Sequence, residues 1–108
     1  MMTHESTASE ITTVRRNEET SRYEILVGDE VAGFTEFKEK NGVFLFPHTE
    51  VDPAFGGRGL GSILVAGAMA DSAARGDTVV PICPFVVKYL RANEVPGLTV
   101  SWPPSARS

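Results

Sequence analysis

The sequence holds one cysteine, Cys83, among 108 residues. That excludes an intrachain disulfide and any zinc site built on several cysteines. No apolar run approaches the length of a membrane-crossing helix, and the N-terminus has no charged-then-apolar pattern. Neither a span nor a signal peptide is therefore expected, and the cytoplasm is the default compartment. Basic residues are also scarce: ten Lys and Arg against fourteen Asp and Glu give a net charge of −4. A general nucleic-acid binder needs the opposite balance, because its affinity rests on neutralising phosphates. A single anion-binding pocket remains compatible with that charge. No internal repeat or low-complexity segment divides the chain.

What is present is ordinary globular composition, 42% hydrophobic and 22% charged. A chain of this length can bury roughly two thirds of the surface that its unfolded form exposes. One domain over 10–102 is expected, with a loose polar tail over 1–9 that includes His4 and a second tail over 103–108. Ile11–Arg16 reads as a β-branched strand. Arg22–Val27 alternates, with Tyr23, Ile25 and Val27 on one face. Gly28-Asp29 is a two-residue turn signal, and Val31–Lys38 is a third strand with Phe34 and Phe37 on opposite faces. Asn41-Gly42 is a strong hairpin signal, because a type I′ turn needs φ > 0 at both central residues. In the following strand, Val43–Phe46 is apolar without alternation, which predicts cover on both faces. Pro47 cannot donate a ladder bond, so the strand should bulge or part from a neighbour there. These elements predict an antiparallel meander of four strands.

The next stretch organises the chain. Glu50-Val51-Asp52-Pro53-Ala54-Phe55 leads into Gly56-Gly57-Arg58-Gly59-Leu60-Gly61-Ser62, with four glycines in six residues. A helix over Arg58–Arg75 follows, with Leu60, Ile63, Leu64, Gly67 and Ala68 on one face. Glycines let the backbone approach a ligand, and free N–H groups at a helix start favour an anion such as phosphate. Gly76 closes this helix. Thr78–Cys83 is a short apolar strand, so strand, helix and strand give a parallel pair with a right-handed crossover. Phe85–Asn93 reads as a second helix entered through Pro84. Leu98–Trp102 is a candidate last strand, packed on the domain or on a second subunit.

Three phosphate-binding loops compete for the glycines. A dinucleotide fingerprint fails, since Ser62 stands at its third glycine and an antiparallel meander precedes it. Asp77 lies where a ribose-binding acid would, but it belongs to the turn that ends the helix. A triphosphate P-loop fails because Ser62 replaces the required Lys. The third is the G-x-G/A loop of the GNAT N-acetyltransferases, whose end Gly59-Leu60-Gly61 matches. Around it stand His48-Thr49-Glu50-Val51, Gly57-Arg58-Gly59-Leu60-Gly61, Pro81-Ile82-Cys83-Pro84 and Lys88-Tyr89-Leu90. With these, residues 10–97 resemble the minimal GNAT-like family of roughly hundred-residue proteins. Gly56 departs from that family's usual Arg or Gln and removes one side-chain contact, leaving the backbone donors.

The resemblance implies an α/β fold with a mixed sheet, whose fourth and fifth strands splay around the pantetheine arm of acetyl-coenzyme A. It implies cofactor contacts from Thr49, Val51, Gly56, Gly57, Arg58, Gly59, Leu60, Gly61 and Ser62. It implies acetyl transfer to a small-molecule or peptide amine of unspecified identity. No nucleic-acid, membrane or metal partner is expected, and the chain is expected to be a monomer or weak homodimer. A non-catalytic coenzyme A-binding module or sensor is the alternative, and a partner-binding domain with a vestigial loop is a third reading.

Transfer to nitrogen needs a neutral amine. Deprotonating a free Lys at neutral pH costs roughly 4–5 kcal/mol, and an α-amine only about 1 kcal/mol. His48 and Glu50 share a strand face if no bulge intervenes, and are the candidate bases. Each also has a structural reading, His48 as a satisfied half-buried imidazole and Glu50 as a water-binding partner. Cys83 is either a packing residue or, as in the resembled family, an acyl carrier, whose thiolate the following helix start would favour. Tyr89 is a core tyrosine or the acid that protonates the leaving thiolate. Arg58, Lys88 and Arg91 are cations available to phosphates, with Arg58 best placed in the loop.

Overall fold

The computed structural model describes residues 11–104. The expectations for residues 1–9, His4 among them, and for 105–108 lie outside the described residues. Six strands form one sheet in sequence order: β1 (Thr12–Asn17), β2 (Arg22–Val27), β3 (Glu30–Lys40), β4 (Val43–Val51), β5 (Thr78–Pro81) and β6 (Thr99–Val100). The first four are antiparallel, and β4, β5 and β6 run parallel. Helix α1 (Leu60–Arg75) makes the β4–β5 crossover, and α2 (Pro84–Ala92) follows β5.

The turns follow their residues. Asn41 and Gly42 both take positive φ, 54° and 84°, as a type I′ hairpin requires. Gly76 takes φ 77° after α1, and the Asp77 N–H returns to Ser72 O, which stops the helix. The helix starts two residues later than its periodicity suggests, because Gly59 sits outside it in the left-handed region.

One core lies between the sheet and the helices. Tyr23, Ile25, Val27, Ala32, Phe37 and Phe46 meet Leu60, Leu64, Val65, Ala68 and Met69 of α1, with Cys83 and Val86 beside them. Small residues bring α1 close: a side chain added at Gly67 would lie 2.9 Å from Val14. The start of β4 is less covered than its run of apolar residues predicts. Val43, Phe44 and Leu45 are half-buried, and only Phe46 is fully enclosed.

Two features of the meander were hidden from the alternation. Glu24 on β2 is buried to 2% exposure. Arg15 Nε reaches its Oε1 at 2.9 Å, and Arg22 Nε and Asn17 Nδ2 reach Oε2 at 2.8 and 3.2 Å. Burial alone would push this carboxyl up; the bonds from Arg22, Arg15 and Asn17 outweigh it and hold the pKa below its ordinary value of 4.5. A depressed carboxyl stabilises the fold above the unfolded value and loses that contribution as pH falls through the folded one. Glu24→Gln should therefore be less stable than wild type by about 1–2 kcal/mol at neutral pH. In denaturation curves across pH, that gap should close below the ordinary carboxylate range.

The second feature is Gly33, opposite Val51. A Cβ there would lie 2.6 Å from the backbone oxygen of Glu50 and 3.1 Å from Val51 Cα. Both are backbone atoms, so β3 and β4 would have to separate. Gly33→Ala should cost about 1–3 kcal/mol in urea denaturation, with the loss centred on the strand that carries the candidate site.

Candidate active site

β4 is where the sheet divides. Its register with β5 runs from Val43↔Thr78 to Phe46↔Pro81 and ends there. The N–H groups of Ile82 and Cys83 both turn onto Phe46 O, at 3.3 and 2.9 Å, and close the fork. Pro47 sits at that point. It has no N–H to continue the ladder. On the other side, the β3–β4 register slips between Glu36↔His48 and Lys38↔Leu45, so Phe46 and Pro47 together face Phe37. The bulge and the parting expected of Pro47 are both present.

Beyond the fork, β4 continues on β3 alone from His48 to Val51. Asp52 N–H bonds Ala32 O at 2.7 Å. Antiparallel alternation then turns the backbone groups of Thr49 and Val51 away from β3, toward the open fork. The bulge also decides where side chains go. His48 and Glu50 share the helix-free face, with His48 Nε2 3.0 Å from Glu50 Oε2. Both are largely exposed, and the imidazole lies 6.0 Å from the Phe34 ring. A groove of about 550 Å³ runs past Glu50 on that strand pair, walled by Arg22, Phe34, Val51 and Pro53.

Thr49 points the other way, into the core face. Its Oγ1 is 3.0 Å from Cys83 Sγ and 2.7 Å from Thr35 Oγ1. Cys83 is 4% exposed and is the residue immediately before α2. The structure thus joins the sequence-predicted residues as two pairs, His48 with Glu50 and Cys83 with Thr49, on opposite faces of one strand. Tyr89 is half-buried on α2 and borders a cleft of about 220 Å³ with Gly61, Ser62, Phe85 and Lys88. Its hydroxyl makes no hydrogen bond with either pair. Thr35 was not foreseen. Its signal was available: by alternation from Phe37 it faces the core, where a hydroxyl must find a partner.

At the open end of the fork lies the glycine loop. A short 3₁₀ turn, Pro53–Phe55, is capped by Asp52, whose carboxylate accepts from Ala54 N–H at 2.9 Å. Gly56, Gly57, Arg58 and Gly59 are exposed. Gly57 and Gly59 take φ of 79° and 71°, and a Cβ at either would meet open space. The first intrahelical bond of α1 is Ile63 N–H to Gly59 O, so the N–H groups of Leu60, Gly61 and Ser62 precede it. No side chain caps them, and no acid occupies the first turn. This end suits an anion electrostatically. Arg58 places its guanidinium 5.4 Å over the Phe55 ring. Gly61 carries a packing duty as well: a Cβ there would lie 2.5 Å from the Phe85 ring.

Residues 22–95 match a family model, GCN5-related N-acetyl-transferase. The chain belongs to that family. The matched span runs from β2 through α2, so it includes the whole fork and both residue pairs. Membership points to acetyltransferase activity. No curated protein matches the chain. Among the described residues, no helix is long and apolar enough to cross a membrane.

Proposed function

We propose that the chain is an acetyl-coenzyme A-dependent N-acetyltransferase. The observation that carries this reading is the fork: β4 and β5 part at Phe46, and the opening leads to three uncapped N–H groups at α1. The residues fit the cofactor. Leu60, Gly61 and Ser62 would meet the pyrophosphate, with Gly56, Gly57 and Gly59 leaving room for its approach and Arg58 adding charge. Thr49 and Val51 would offer backbone groups to the amides of the pantetheine arm. Acetyl-coenzyme A bound there would supply an activated thioester carbonyl.

The chain's own groups then divide the work. With Glu50 accepting the Nε2 proton of His48, the free Nδ1 lone pair is left to take a proton from the acceptor amine. His48 lies on the face opposite Cys83, so it would deprotonate the amine before the amine enters the fork, and its exposure lets it pass the proton to water. An acceptor with a low-pKa amine, such as an α-amine, needs least help from this base. Cys83 gives up its thiol proton to the departing coenzyme A sulfur and takes the acetyl group in its place. The neutral amine then forms the C–N bond as the C–S bond to Cys83 breaks, and the proton that leaves nitrogen passes to Sγ and restores the thiol. Tyr89, in the cleft beside α1 with Ser62, carries a further hydroxyl, which would protonate the leaving thiolate if the amine attacks the thioester directly.

The test is release of free coenzyme A thiol from acetyl-coenzyme A, followed with and without a panel of α-amines and lysine peptides. Amine-stimulated release with an acetylated product supports the proposal. Tight binding with neither transfer nor hydrolysis would replace it with a coenzyme A-binding module.

A further inference from the structure

The hydroxyls of Thr35 and Thr49 have a use that packing alone leaves unexplained. They form an unbroken buried chain with Cys83: Sγ to Thr49 Oγ1 at 3.0 Å, Thr49 Oγ1 to Thr35 Oγ1 at 2.7 Å, and Thr35 Oγ1 to His48 O at 3.5 Å. Thr35 is fully buried, and Thr49 is 9% exposed.

Each hydroxyl has one proton to give, so the direction of the chain is fixed by its end. His48 O can only accept. Thr35 therefore donates to His48 O, Thr49 donates to Thr35, and the Cys83 thiol donates to Thr49. When Cys83 is a thiolate, the order can reverse. Thr49 then donates to Sγ, and Thr35 donates to Thr49. The only bond given up is Thr35 to His48 O, which at 3.5 Å is the longest and weakest of the three. The bond gained is charge-assisted, and such bonds are about twice as strong as neutral ones. Two hydroxyl rotations are enough, and no heavy atom needs to move.

We propose that Thr49 is a positioning residue that holds Cys83 Sγ in the fork and stabilises its thiolate through this reversible hydrogen-bond chain, with Thr35 as the partner that takes the Thr49 hydroxyl proton while the sulfur is protonated. The proposal rests on the reading of Cys83 as acyl carrier, but its test does not need the cofactor. Cys83 is the single cysteine, so the ultraviolet absorbance of the thiolate reports on it alone once a Cys83→Ser protein is subtracted.

The experiment is a pH titration of that absorbance in the full chain without ligand. Thr49→Val keeps the shape and removes the hydroxyl, and the midpoint should move up by about one pH unit. Thr49→Ser restores the hydroxyl and should return the midpoint to the wild-type position. Thr35→Val leaves sulfur as the sole acceptor for the Thr49 hydroxyl, so it should not raise the midpoint. Circular dichroism on each protein verifies folding; if Thr49→Val does not fold, Thr49→Ala and Thr35→Val carry the comparison. A wild-type midpoint in the folded variant lacking the Thr49 hydroxyl would overturn the proposal. So would an equal rise in Thr35→Val, which would mean general loosening of the core. A normal titration pattern in a protein that fails to bind coenzyme A would leave the chain standing and remove only the reading of function.

Discussion

Gly59→Asp should weaken coenzyme A binding about a hundredfold or more, which is roughly 3 kcal/mol, while leaving the fold intact. Gly59 takes φ 71° at the entrance to α1, and a Cβ there would meet no atom within 4 Å. An Asp side chain therefore has room. Asp tolerates the left-handed region better than most residues, at a cost of roughly 1–2 kcal/mol. A carboxylate at the start of α1 also interacts favourably with the uncapped N–H groups and the helix dipole, which offsets much of that cost. Under the proposed function the same contact makes it a competitor of the cofactor: it occupies the N–H groups proposed for the pyrophosphate and repels its charge. Stability and binding should thus respond very differently to one substitution. Gly59→Asn adds the same bulk without the charge, and should lose distinctly less affinity. Thermal melts with and without coenzyme A, alongside binding isotherms, measure both effects. Equal losses for Asn and Asp would mean that shape, not charge, governs the loop.

Cys83→Ala should abolish the acetylated form of the protein and reduce turnover at least about a hundredfold, a factor equivalent to roughly 3 kcal/mol. Coenzyme A should still bind, because the N–H groups proposed to meet its pyrophosphate lie at the other end of the fork. The side chain is small and buried at 4% exposure, and its removal leaves Thr49 one hydrogen bond short. Thr49 Oγ1 keeps its bond to Thr35 Oγ1 at 2.7 Å, so the fold should lose only about 0.5–1.5 kcal/mol for the bond to sulfur. The backbone N–H of residue 83 still bonds Phe46 O at 2.9 Å, so the fork itself does not depend on the sulfur. Intact-protein mass spectrometry after brief exposure to acetyl-coenzyme A reads the acetyl group directly. Wild-type turnover in Cys83→Ala would transfer the chemistry to His48 and Glu50 acting on a direct attack by the amine.

The parts of this molecule legible in the sequence are those written in neighbouring residues. Asn41-Gly42 defined its hairpin, Gly76 its helix stop, and Pro47 both the bulge and the parting of β4. The glycine loop was recognisable by its spacing and by the meander before it. What stayed hidden depends on register between strands. Glu24 is an acid on an alternating strand, and alternation sends it to solvent. It is buried because Arg15, Asn17 and Arg22 all come to it, two of them across β1. Gly33 looks like an ordinary loose point in a strand until Val51 is placed opposite. Thr35 and Thr49 lie fourteen residues apart; the β3–β4 pairing joins them to each other, and the β4–β5 fork brings Cys83 to Thr49. Gly61 was readable as a loop glycine, while its contact with Phe85 required the angle between two helices.

The central claim is that the fork and its glycine loop hold one coenzyme A. Isothermal titration of the wild-type chain with coenzyme A and acetyl-coenzyme A tests it most directly. Both ligands should show saturable binding at one site per chain, weakened by added pyrophosphate. Titrations that show no saturable heat, with binding equally absent from thermal shift, would contradict it.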